Sequence, residues 1–265
     1  MSSAPPTLRP TIDRRWLDRV ALTDPVVHAY ARWDLDRHPE QVRFVSALRG
    51  EETVGYLLIW LGTRTAPIVH WFEATPDART LVEGLPPRPF VAVVPEAVRP
   101  EFERARGPTR AYPLLILSVR LDNPTPETRS HPEVRRLTAV DRPGLLALTS
   151  AQTELVASEY PHLPPDREMI WGYFDGERLA GVARAVVHLP EVWLLSGVFV
   201  DPTARGRGFG LALVQTALAD ARREGATVGL YVREDRPAAR AVYARAGFRP
   251  HARRLWLDAG TGWEP

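Results

Sequence analysis

Residues 198–213 read Val198-Phe-Val-Asp-Pro-Thr-Ala-Arg-Gly-Arg-Gly-Phe-Gly-Leu-Ala-Leu213, with a strand's apolar run before them and a helix's apolar spacing after. Upstream, Val192 to Val200 is rich in branched and aromatic residues without a helical period, as a buried strand is. Downstream, Leu211, Val214, Leu218 and Ala221 recur at three and four residues, and Gly225 follows as a stop. Between them stand Arg205, Gly206, Arg207, Gly208 and Gly210. Glycines and guanidinium groups at the start of a helix aim backbone N–H groups, the positive end of the helix dipole and two fixed charges at one place. That arrangement binds phosphate.

Two known phosphate loops do not fit. A Walker-type loop needs a lysine before its Ser or Thr, and all 34 basic residues of this chain are arginine. The dinucleotide fingerprint Gly-x-Gly-x-x-Gly opens the first strand-helix unit of its fold, whereas Gly206, Gly208 and Gly210 come late in the chain. The pattern Arg-x-x-Gly-x-Gly over Arg205 to Gly210, preceded by a strand and Pro202, resembles the acetyl-CoA pyrophosphate loop of the GNAT superfamily of N-acetyltransferases.

The 265 residues, 45% of them hydrophobic, suffice for one large domain or two ordinary ones. A formal charge of +2, with 34 basic residues interspersed among 32 acidic ones, argues against a nucleic-acid partner despite a pI near 9.2. The absence of cysteine and lysine excludes disulfides, thiolate catalysis, cysteine zinc sites and a lysine Schiff base. No metal is expected. The N-terminal Met-Ser-Ser-Ala-Pro-Pro lacks the pattern of a secretion signal, and no apolar run reaches the ~20 residues of a membrane span. The expectation is a cytoplasmic protein without membrane contact.

Taken in order, the chain reads as two short helices over residues 11–35, then strands at Val42 to Leu48, Val54 to Leu61 and Ile68 to Phe72. A loop with Pro86, Pro87 and Pro89 follows, then a strand at Phe90 to Val94, a helical piece near Pro100 to Ala105 and a strand at Leu114 to Leu121. The second half repeats this order. Helical segments lie within Leu137 to Ser158, strands at Glu168 to Phe174, Leu179 to Val187, Val192 to Val200 and Val228 to Val232, a helix at Pro237 to Ala246, and a last strand near Arg254 to Leu257.

A shift of 126 residues turns that likeness into identities: Gly50 with Gly176, Glu51 with Glu177, Gly55 with Gly181, Pro76 with Pro202, Ala78 with Ala204, Arg79 with Arg205, Gly84 with Gly210 and Leu85 with Leu211. The expected domains are a degenerate GNAT-like domain at 1–122, a proline-rich linker at 123–132, and a catalytic GNAT domain at 133–265. The fold class is α/β (α+β): two GNAT-like halves, each a mixed, mostly antiparallel sheet flanked by helices. In the first half Thr80 and Val82 stand where Gly206 and Gly208 stand in the second, and prolines replace the helix after the loop. That half keeps the scaffold and loses the anion site, so one acetyl-CoA per chain is expected.

The resemblance covers about Val134 to Leu257 and implies the remaining roles. The backbone of Val198, Phe199 and Val200 lends itself to the pantetheine arm, and Gly197 marks either a bulge opening a slot beside the strand or a close strand contact. Arg205, Gly206, Arg207, Gly208, Phe209 and Gly210 hold the pyrophosphate. Pro237 to Phe248 resembles the family helix with a tyrosine four residues before Gly-Phe, which makes Tyr243 the donor to the departing thiolate. Arg236 stands where the family usually has a cofactor-touching Asn, and is read as a phosphate contact. For the base that takes the amine proton, Glu154, Glu159 and Ser196 rank ahead of His188 and Glu191, with Ser196 expected by alternation on the face of Val198 and Val200, and Tyr160 to Pro165 as a wall of the acceptor pocket.

The function implied is an acetyl-CoA-dependent N-acetyltransferase, acting on a primary amine of a small molecule or peptide by direct attack in a ternary complex. The protein is expected as a monomer or homodimer. A non-catalytic acyl-CoA sensor and an interaction module on a tandem scaffold are the alternatives.

Overall fold

Strands form in this chain where apolar residues run without helical period between glycine-centred turns, and helices where a cap precedes the three-to-four spacing. The computed structural model describes residues 5–63, 66–73, 76–120, 130–150, 160–263 and 265. The first half runs β1 (Thr7–Arg9), α1 (Arg14–Thr23), α2 (Ala29–Arg37), β2 (Val42–Arg49), β3 (Glu52–Trp60), β4 (Ile68–Glu73), β5 (Phe90–Val94), α3 (Arg99–Arg106) and β6 (Arg110–Val119). The second runs β7 (Val134–Arg136), α4 (Arg142–Thr149), β8 (Met169–Asp175), β9 (Arg178–His188), β10 (Val192–Val200), α5 (Phe209–Glu224), β11 (Thr227–Arg233), α6 (Pro237–Arg245) and β12 (Arg249–Ala259).

The chain divides into two compact units. One comprises residues 1–114 with 253–264, the other residues 115–252 with 265. The unit boundary therefore differs from that of the sequence repeat. Residues 121–129, which hold most of the expected linker, lie outside the described residues.

In the first unit the strand order is β1-β2-β3-β4-β5-β12, in the second β6-β11-β10-β9-β8-β7. Both mix the same way: an antiparallel meander, then one parallel pair, β4 with β5 or β10 with β11. The sixth place in each order goes to a strand from the other half of the sequence. Leu255 to Ala259 of β12 pair antiparallel with Val94 to Phe90, and β6 lies beside β11.

Each unit has its own apolar core. In the second, one face of the sheet packs Trp193 and Leu195 against Leu213, Val214, Ala217 and Leu218 of α5. Burying such a branched side chain contributes about 1.5–3 kcal/mol, so this seam fixes α5 across the strands. Gly225, at φ +74°, ends α5 in the left-handed conformation that only glycine adopts cheaply. The other face packs Ile170, Val182 and Phe199 with Leu145 and Leu148 of α4 and with Tyr160. In the first unit Leu57, Val69, Trp71, Phe90, Phe102 and Leu257 form the corresponding core.

Candidate active site

The parallel ladder between β10 and β11 runs from Val192↔Thr227 to Leu195↔Leu230 and stops there, although both strands continue. At the same level β10 is irregular against β9: Ser196 faces Arg184, but Phe199 faces Val182, so two residues of β10, Gly197 and Val198, stand opposite the single Ala183 of β9. Gly197 sits in this bulge at φ +59°, as the first of its two readings supposed. The bulge also corrects an expectation. Simple alternation puts Ser196 on the face of Val198 and Val200, but an extra residue reverses the parity. Ser196 shares the α4 face with Phe199, while Val198 and Val200 turn to the α5 side and pack on its cluster.

Past β10, Asp201 accepts from the Thr203 backbone N–H at 2.8 Å and starts a single 3-10 turn, Pro202–Ala204. Gly206 and Gly208 follow at φ +80° and +88°, and Gly208 is the N-cap of α5. A Cβ added at either would meet nothing within 4 Å. The need for glycine there is conformational, and the space beside both is open. Ala212 N–H bonds the Gly208 carbonyl at 3.0 Å, so the N–H groups of Phe209, Gly210 and Leu211 precede the first closed turn of a 16-residue helix. Gly210 differs: its added Cβ would meet only Val200 at an ordinary 3.7 Å.

The two loop arginines are held differently. Arg205 Nε donates to the Val200 carbonyl at 3.1 Å, with its guanidinium 5.7 Å from the Phe199 ring centre. Arg207 pairs with the Asp175 carboxylate at 2.6 and 3.2 Å and lies over the ring of Phe209, which stacks on Tyr173 at 3.9 Å. That guanidinium holds the Asp175 carboxyl below its ordinary range. A hollow of about 240 Å³ opens beside the helix start, lined among others by His131, Tyr173, Arg207, Gly208 and Arg245.

Tyr243 lies on α6 and is buried in the core that also holds Val232 and Leu213, its ring edge-on to Phe248 at 5.8 Å. Phe248 N–H returns to the Tyr243 carbonyl at 3.0 Å, with Gly247 at φ +97° making the reversal. The Tyr-to-Gly-Phe spacing is thus the geometry of a helix end. Arg236 is exposed as the N-cap residue of α6. Glu154 and Glu159 lie outside the described residues. His188 and Glu191 flank the turn where Leu189 and Val192 exchange backbone bonds, at the end of β10 away from the bulge. Tyr160 is buried, and its hydroxyl donates to the Gly197 carbonyl at 2.8 Å.

In the first unit the parallel ladder also ends early, at His70↔Val93 while β4 runs on to Glu73, but among the described residues the bulge and the glycine-capped helix have no counterpart there. β4 pairs with β3 from Gly55↔Glu73 to Trp60↔Ile68 without a register break. After it comes a 3-10 segment, Pro76–Gly84, in place of a helix. Arg79 donates to Glu101 at 2.7 Å. Gly84, conserved in the internal repeat, answers to packing instead: its Cβ would sit 2.7 Å from Val45.

Among the described residues no group of three or more His, Asp or Glu side chains could hold a metal ion, and no helix is long and apolar enough to cross a membrane. Two contributors escaped sequence reasoning. Asp175 is 32 residues from Arg207, with only its place beside the Gly176 turn as a signal. Tyr160 was read as pocket wall, because nothing in sequence marks a phenol that reaches a strand carbonyl 37 residues on.

The profile of the acetyltransferase (GNAT) family matches residues 134–248. A mycothiol acetyltransferase of Geodermatophilus obscurus is 43% identical over 94 residues, covering 31% of this chain and 30% of that protein. One from Nocardia farcinica is 46% identical over 82 residues, covering 31% and 25%. These matches span less than a third of the relatives' length. Among solved structures, a tandem GNAT protein from the clavulanic acid biosynthesis pathway superposes with a TM-score of 0.57 at 18% identity, over 97% of this chain and 99% of that one, a likeness of fold. The family match falls on the half that has the bulged strand, the glycine loop and the capped helix: the chain carries an acetyltransferase domain of the GNAT family.

Proposed function

We propose that this protein transfers the acetyl group of acetyl-CoA to a primary amine on a small molecule or peptide, by direct attack within a ternary complex. The observation that carries the reading is the pair Gly206 and Gly208, both left-handed, both open to space, at the start of a long helix next to the point where β10 and β11 stop pairing. A diphosphate suits the unclaimed N–H groups of that loop, with Arg205, Arg207, Phe209, Gly210 and Arg236 as further contacts. The pantetheine arm suits the gap beyond Leu195, along the backbone of Val198, Phe199 and Val200. Acetyl as the transferred group is supported by the family and by the names of the curated relatives.

A neutral amine attacks the thioester carbonyl, the tetrahedral intermediate collapses, and the sulfur leaves as a thiolate that Tyr243 protonates or hydrogen-bonds. The amine proton goes to Glu154, Glu159 or Ser196, directly or through water. The first half of the chain serves as scaffold. Acetyl-CoA should raise the melting temperature of the intact protein, since a ligand bound only by the folded state stabilises it by mass action. Gly208→Val, which puts a β-branched residue at φ +88°, should abolish that rise. An undiminished rise would reject the loop as the acetyl-CoA site, and thiol release across a panel of amines would then identify the acceptor class.

A further inference from the structure

Tyr160 is 1% exposed and packs among Ile170, Val182 and Phe199. A Cβ on Gly197 would lie 2.6 Å from its hydroxyl oxygen and 2.8 Å from its ring, so the glycine serves both the backbone angle and the close approach of the phenol. Gly197 and Val198 are the residues of β10 that β9 leaves unmatched between Ser196↔Arg184 and Phe199↔Val182, and the ladder to β11 has already ended at Leu195↔Leu230. The Gly197–Val198 peptide therefore has no register partner on either side, and Tyr160 holds it through its 2.8 Å bond to the Gly197 carbonyl.

That peptide is trans, so its N–H points opposite to its C=O. Drawing the Gly197 carbonyl toward Tyr160 turns the Val198 N–H to the opposite side, beyond the last register pair with β11. We infer that Tyr160 is a positioning residue: its hydroxyl fixes this peptide plane so that the Val198 N–H is aimed at the thioester carbonyl oxygen of bound acetyl-CoA. The inference rests on the acetyltransferase reading. A donor held where negative charge develops stabilises the transition state only if it is oriented beforehand, and a buried phenol does that without moving.

The test needs no acceptor. Acetyl-CoA labelled with 13C at the acetyl carbonyl is bound to the full-length protein and its carbonyl stretch recorded by difference infrared spectroscopy. The wild type should shift the band to lower frequency. Tyr160→Phe should lose most of that shift while acetyl-CoA affinity, set by the phosphate loop, stays within about threefold. A purely structural tyrosine would lower the melting temperature and leave the band where it was. Should the phenylalanine variant fail to fold, Tyr160→3,5-difluorotyrosine keeps the ring but ionises at lower pH, and an ionised oxygen cannot donate. Its band shift should fade as pH rises, over a range in which the wild-type shift is constant. Equal shifts in wild type and Tyr160→Phe, or a pH-independent shift in the fluorinated variant, overturn the inference alone. Failure of the wild type to bind acetyl-CoA sinks the acetyltransferase reading and this inference with it.

Discussion

Arg207 and Asp175 form a two-point pair, at 2.6 and 3.2 Å, so one of the two loop arginines faces the candidate diphosphate site already holding a carboxylate. The pair is exposed, and exposed pairs are weak and sensitive to salt. The guanidinium is fixed in place by Asp175 but partly neutralised by it. We predict that Asp175→Asn tightens acetyl-CoA binding by a factor of roughly two to five at low ionic strength, and that the gain fades as salt is added. Titration calorimetry at two salt concentrations checks this. Weaker binding in the variant would mean that orientation of Arg207 outweighs its net charge.

Much of the scaffold was legible because most strands are buried on both faces and punctuated by glycine. The expected Val192 to Val200 coincides with β10, and Phe90 to Val94 with β5. What escaped has physical causes. β1 and β7, three residues each, are too short to show a period. β12 was expected only from Arg254, since its first residues, Arg249 to His251, are exposed and polar, yet it begins at Arg249. The face of Ser196 was misread because one extra residue at a bulge inverts every side chain beyond it, and alternation alone cannot locate the insertion. The glycine loop could be read from local spacing, whereas the partners of Arg207 and Gly197 depend on contacts that only the folded sheet brings together.

For Tyr243 we predict a loss of chemistry without a loss of binding. Tyr243→Phe removes one oxygen and keeps the ring against Phe248, so the core is little disturbed. The turnover number should fall by a factor of roughly 10 to 1,000, the usual scale for a positioned acid, with the acetyl-CoA dissociation constant nearly unchanged. Steady-state kinetics on an accepted amine, beside calorimetry, separates the two quantities. Undiminished turnover would assign the leaving thiolate to water or another group.

In the first unit, Asp34 is 7% exposed, and burial pushes its carboxyl up to about 7. Burial lowers the imidazoles of His28 and His70 to about 4, with Arg254 acting in the same direction on both. These groups act on stability with opposite signs. A carboxyl with a raised folded value costs stability as pH climbs from its ordinary value of 3.8 to about 7, and the cost is complete above that. The neutral histidines stabilise fully above 6.5, and that contribution is lost as pH falls toward 4. Asp34→Asn should therefore stabilise the protein at pH 8 by roughly 1–3 kcal/mol, the scale of burying an uncompensated polar group. The gain should vanish near pH 4. Denaturant unfolding at both pH values tests it, and a gain independent of pH would show that burial does not raise the Asp34 carboxyl above its value in the unfolded chain.

The stoichiometry of acetyl-CoA follows from comparing Arg79 with Arg205, the repeat partners. Both stand at the same place in their halves, so the repeat by itself suggests two sites. Arg79, however, is committed to Glu101 at 2.7 Å, and Glu73 lies in the same cluster, its carboxyl raised by burial against the opposing pull of Arg79. Arg205 forms no ion pair among the described residues; it bonds a backbone carbonyl instead and keeps its charge uncancelled. Around Arg79 the chain offers Thr80 and Val82 where left-handed glycines would be needed, and a 3-10 segment in place of a helix start. A carboxylate near an incoming diphosphate adds repulsion to a site that supplies no ready N–H cradle. We predict one acetyl-CoA per chain. Arg79→Ala should leave the dissociation constant unchanged, although the loss of a partner for Glu101 will lower the melting temperature somewhat. Arg205→Ala should weaken binding by a factor of roughly 3 to 30, the range for losing one charged contact to phosphate. Calorimetry on wild type and both variants gives stoichiometry and affinity together. Two equivalents bound by the wild type, or an affinity loss confined to Arg79→Ala, would place the site in the wrong half.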